Sequence, residues 1–151
     1  MVAPGDDVAL LVGLLHRDVG HEPCRGGAVP VVLAGLEDAT AARRYFFESV
    51  RAYTELASIR GVGLSLIGLA AAAAVDHRPD AAVRIAAAAE IYASEEGIVN
   101  VYGDNPVGRE LIDRARASLA AEDVIRATEA GRRLTIAETL EMARPGDPAP
   151  A

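Results

Sequence analysis

Three residues near the start of the chain have side chains suited to a metal site: His16, His21 and Cys24, in the pattern His-x4-His-x2-Cys. Imidazole nitrogen and thiolate sulfur are common zinc donors, and a structural zinc takes four ligands. Asp18 or Glu22 would have to supply the fourth. The spacing matches no standard zinc motif, and the surrounding segment is rich in Gly and Pro. We therefore read these residues as side chains of an ordinary loop and expect no metal. His16-Arg17-Asp18 copies the opening of a kinase catalytic loop, but Pro23 stands where that loop needs Asn. Gly61, Gly63 and Gly68 look like the glycines of a dinucleotide loop. The third is misplaced, and no strand precedes them. Small residues that let a helix pack closely are the better reading.

Stepping outward from these motifs, composition removes whole classes of chemistry. All 15 basic residues are Arg, so the chain has no Lys. That leaves no phosphate-loop lysine, no Schiff base and no lysine general base. There is no G-x-S-x-G elbow, and three scattered His assemble no Ser-His-Asp triad. The reading is a non-enzyme without a cofactor. The net charge of −7 repels phosphate backbones, so no direct nucleic-acid binding is expected. A single cysteine permits no internal disulfide. The longest apolar stretch, residues 62–75, is too short for a bilayer. The apolar run 8–15 follows Asp6 and Asp7 rather than a basic segment, unlike a signal peptide. No membrane contact and a cytoplasmic location are the expectations.

Hydrophobic residues make up 51% of the chain and aromatics only 4%. A core of Ala, Leu, Val and Ile favours helices over sheets, because Ala is the best helix former and is depleted in strands. The periodicity predicts an all-α fold. A first helix follows an Asp38 cap, with Tyr45, Phe46, Val50 and Tyr53 at helical spacing, until residues 59–61 break it. A second helix, 62–75, is apolar nearly all round and so buried. Pro79 opens a third, reaching about Glu96. Asn105-Pro106 opens a fourth, to about Ala121, whose Arg109, Arg114 and Arg116 sit among Glu110 and Asp113 as a solvated face of ion pairs. A fifth spans 123–130 and stops at Gly131 as its C′ residue. Thr135 and Glu138 have capping-box spacing and start a last helix, to about Ala143. Domain limits follow: 1–36 an irregular N-terminal segment with short helices, 37–143 the helical domain, and 144–151 a disordered tail with three prolines.

Ala41-Ala42-x-Arg44 recurs as Ala81-Ala82-x-Arg84, an offset of 40 residues. Two helices per unit of that length is the mark of antiparallel helical hairpins stacked as a solenoid. The stretch Ala41-Ala-Arg-Arg-Tyr-Phe-Phe-Glu-Ser-Val resembles the tetratricopeptide-like C-terminal region of large bacterial ATPase regulators. So do Arg60-Gly-Val-Gly-Leu-Ser-Leu-Ile-Gly-Leu-Ala-Ala, Pro79-Asp-Ala-Ala-Val-Arg-Ile-Ala-Ala-Ala-Ala-Glu and the closing Glu129-Ala-Gly-Arg-Arg-Leu-Thr-Ile-Ala-Glu-Thr-Leu. These regulators are the LuxR-type and cyclase-linked proteins with a signalling NTPase core. That family usually has Gly where this chain has His77, and Gly-Asp where it has Glu37-Asp38. It also carries an NTPase domain before this region, and often a DNA-binding helix-turn-helix after it. On that comparison the chain is a detached fragment or a stand-alone reading frame that kept only the scaffold.

The resemblance implies a short tetratricopeptide-like solenoid with a regulatory interaction role in transcription or signalling, and carries over no catalytic residue. The expected partner is another protein or a second copy of the chain, most readily as a homodimer. The alternative is a module that senses a small molecule held between helices. The runs 8–15 and 29–36 are strongly apolar and the family would place further repeats before them, so Leu11 and Leu14 are candidate contact residues. Phe47 and Tyr53 are the others, because aromatics on one helix can line a peptide groove.

Overall fold

The computed structural model describes residues 39–102 and 106–144. Within them the chain is all-helical. We number the helices α1 (Ala39–Glu55), α2 (Ile59–Val75), α3 (Pro79–Glu95), α4 (Pro106–Ser118), α5 (Ala121–Arg132) and α6 (Ile136–Ala143).

The first three helices are built to one plan. Each is 17 residues long. Each ends on a residue with positive φ, Ala57 (53°), His77 (56°) and Gly97 (79°), spaced 20 residues apart. The next residue then folds its N–H back into the helix. Ser58 N–H donates to the Tyr53 carbonyl at 2.9 Å, Arg78 to Ala73 at 2.9 Å, and Ile98 to Ala93 at 2.8 Å. The positive-φ residues bond in parallel to Thr54, Ala74 and Ser94. This double closure is the Schellman motif, which satisfies carbonyls that the helix leaves open. Helix starts are handled individually. Ser58 Oγ accepts from Gly61 N–H at 3.3 Å as the N-cap of α2. Pro79 occupies the first turn of α3, where a missing N–H costs nothing.

Three-residue turns fold successive helices back on one another. Arg43, early in α1, pairs at 2.9 Å with Asp76, just past the end of α2. At the other end of the hairpin the Tyr53 ring covers Gly61. In the middle the Phe46 ring lies on Gly68. The two glycines therefore serve as sockets for aromatic side chains of α1, and Tyr45 packs edge-on to Phe46 at 5.8 Å. α2 is the central element. Leu66, Ile67, Leu69 and the alanines 70–72 are at most 1% exposed, and α2 packs against α1, α3, α4 and α6. α3 adds Ala82, Ile85, Ala86 and Ala89 to the same core. Alanine faces let these helices approach closely, so most of the packing is between small side chains and backbone.

α5 packs on α3 rather than on α4, to which residues 119 and 120 join it. Its Gly131 sits against the Arg84 carbonyl and the Ala87 side chain. α6 opens with the expected capping box: Thr135 Oγ1 accepts from Glu138 N–H at 3.1 Å, and Glu138 Oε2 accepts from Thr135 N–H at 3.0 Å.

Several helix limits differ from the sequence reading. Residues 59–61 do not break a helix but begin α2. Gly61 reads as a breaker only when its aromatic neighbour is unseen. Gly131 is not a C′ residue, since α5 runs past it to Arg132. It is glycine because a second backbone passes beside it. α4 stops at Ser118, three residues earlier than expected, and α5 starts at Ala121. The Asp38 and Asn105 caps, the segment 1–36 and the tail beyond Arg144 lie outside the described residues.

Candidate functional site

The 20-residue register ends after Ile98. A fourth unit in register would start at Val99, but α4 begins only at Pro106. Insertions that interrupt a repeat tend to sit on one face and to carry binding. Here the interruption borders a cleft of about 400 Å³ between the end of α3, residues 97–102 and the first turn of α4.

The segment 98–102 is anchored from both sides. Val101 is buried, its methyl about 3.0 Å from where a side chain at Gly63 would begin. Tyr102 N–H donates to Asn100 Oδ1 at 3.2 Å, which closes a local turn. The Tyr102 hydroxyl donates to Glu90 of α3. Arg116 of α4 reaches the same Glu90 oxygen at 3.0 Å and also holds Asp113 at 3.0 Å. Glu90, Tyr102 and Arg116 thus tie α3, the inserted segment and α4 together. Burial pushes the Tyr102 phenol up to about 12, with the carboxylate of Glu90 acting in the same direction and Arg116 against it. On the outer side Arg109 lies over the Tyr102 ring, 4.9 Å from its centre.

The cleft wall combines an apolar floor, from Ala93, Ile98 and Val101, with polar groups from Glu90, Asn100 and Arg109. The Glu90 Oε1 oxygen is the one that Tyr102 and Arg116 use. Arg109 forms no ion pair among the described residues, whereas Arg114 and Arg116 of the same helix are paired with Glu110 and Asp113. The expected ion pairs along α4 are present for Arg114 and Arg116, but not for Arg109. Arg116 has in addition the long-range role with Glu90, which i, i+3 spacing does not reveal.

Of the contact residues singled out from the sequence, Phe47 and Tyr53 do not line this cleft. Phe47 and Tyr53 are half-buried against the core, with Tyr53 committed to Gly61. Leu11 and Leu14 lie outside the described residues, as do His16, His21 and Cys24. Among the described residues no helix is long and apolar enough to cross a membrane. Comparison with protein-family models, with curated proteins and with solved structures found no match for the chain.

Proposed function

We propose that the chain is a non-catalytic helical-repeat scaffold of tetratricopeptide-like type, which holds a protein partner or a second copy of itself within a bacterial transcription or signalling regulator. The observation that carries this reading is the register of α1, α2 and α3: equal lengths, equal turns, and each helix packed on the next. Units of this kind bury their faces on neighbours and present extended surfaces for partners. The resemblance of segments 41–50, 60–71, 79–90 and 129–140 to the regulator family supports the same role.

Affinity capture of the tagged full chain from its native cells, followed by mass spectrometry, tests the proposal. Stoichiometric recovery of a signalling ATPase, a DNA-binding regulator or untagged copies of the chain is expected. Recovery of the chain alone, at the mass of a monomer, contradicts it.

A further inference from the structure

The cleft beside Tyr102 carries two opposite charges that do not pair with each other. Glu90 and Arg109 both line it, yet no ion pair joins them. Glu90 is held by Tyr102 and Arg116 through Oε1 alone, which leaves Oε2 as an acceptor. The Arg109 guanidinium lies over the Tyr102 ring and forms no ion pair among the described residues, which leaves its N–H groups as donors. Tyr102 contacts both groups, through its hydroxyl on Glu90 and its ring beside Arg109. Below them Ala93, Ile98 and Val101 form an apolar floor. A ligand that satisfies all three features has an ammonium group, a carboxylate and a short aliphatic body.

We propose that this cleft binds a free α-amino acid with an aliphatic side chain, its ammonium on Glu90 and its carboxylate on Arg109. The volume, about 400 Å³, is in the range of small-molecule sites and holds such a molecule with room for water. A simple anion satisfies Arg109 but leaves the second oxygen of Glu90 unused. A simple cation has the reverse difficulty. A zwitterion uses both, its ammonium donating to the open Glu90 oxygen and its carboxylate accepting from Arg109. The inference stands independently of the scaffold reading, because it needs only the geometry around Tyr102.

The test is nuclear magnetic resonance titration of the 15N-labelled full chain with three probes that share one aliphatic body: L-leucine, 4-methylpentanoate and isopentylamine. Leucine is expected to give saturable shifts confined to residues 93–102 and 109. Each single-charge probe is expected to bind about ten-fold more weakly, the worth of one charge-assisted hydrogen-bond pair. Arg109→Gln should bring leucine down to the level of isopentylamine, and Arg114→Gln should change nothing. Ser94→Phe places a ring in the cleft from an exposed position of α3 and should abolish binding while leaving the far-ultraviolet circular dichroism unaltered. Equal binding of all three probes overturns the proposal. So do an unchanged affinity in Arg109→Gln, shifts that map away from the cleft, and the lack of saturation up to the solubility of leucine.

Discussion

Gly131 of α5 lies directly against the backbone carbonyl of Arg84 in α3, with no space for a Cβ between them. Glycine inside a helix normally costs about 1 kcal/mol relative to alanine. Here the contact reverses the sign. Gly131→Ala is expected to destabilise the fold by about 1–3 kcal/mol, because a main chain, unlike a side chain, has no rotamer by which to withdraw. Urea denaturation measures it, and a higher midpoint in the variant would show that α5 does not dock as described.

The helix ends offer the opposite experiment. Ala57 and His77 hold the left-handed conformation that Gly97 adopts freely. For a residue with a Cβ that conformation costs roughly 1–2 kcal/mol. Ala57→Gly and His77→Gly should each stabilise the protein by about 0.5–1 kcal/mol after the added freedom of the unfolded chain is subtracted. Gly97→Ala should destabilise it by a similar amount. Nothing lies within 4 Å of a Cβ at that position, so only the backbone is strained. Thermal melting of the three variants side by side checks the common register.

The centre of the fold should tolerate no charge. Leu69 is 1% exposed and Ala71 is fully buried. Leu69→Asp or Ala71→Asp places a carboxylate among apolar side chains, at a cost of about 4 kcal/mol or more, comparable with the whole stability of a small domain. Loss of the cooperative melt is the expected result.

Tyr102 supplies a pH dependence. Its phenol is raised to about 12 in the folded chain, against 10.0 for an ordinary tyrosine. Between those values the folded state keeps a proton that the unfolded state has lost, so stability falls as pH rises. The contribution is fully present below pH 10 and is lost as pH passes 12. Tyr92 shifts upward too, through burial and then Glu96. Absorbance titration of the phenolates should show Tyr102 ionising well above an ordinary phenol, and Tyr102→Phe should remove that step and flatten the alkaline loss of stability.

How much of this was legible in the sequence differs by element. The Thr135–Glu138 box was readable because both halves lie within four residues and use dedicated side chains. The burial of α2 was readable from the run 62–75, which is apolar nearly all round, Ser65 being its one polar side chain. The 20-residue register was not, because Ala57 and His77 do the work usually marked by glycine; the offset of 40 residues between Ala41 and Ala81 showed only alternate units. Close packing at Gly61 and Gly68 was legible, but what fills each of them, and the role of Gly131, were not. Each is set by a partner at a distance, Tyr53, Phe46 or Arg84, and local rules assign glycine to breaks and ends. The Glu90–Tyr102–Arg116 cluster joins residues 12 and 26 positions apart, and nothing in local spacing relates them.

Under the scaffold proposal a second copy of the chain is a partner, with Leu11 and Leu14 as the candidate contact residues. Sedimentation equilibrium of the full chain and of the Leu11→Glu/Leu14→Glu variant, over a range reaching high micromolar concentration, examines this. We expect the mass of two chains for the parent and of one for the variant. The mass of a single chain for both, at every concentration, would contradict it.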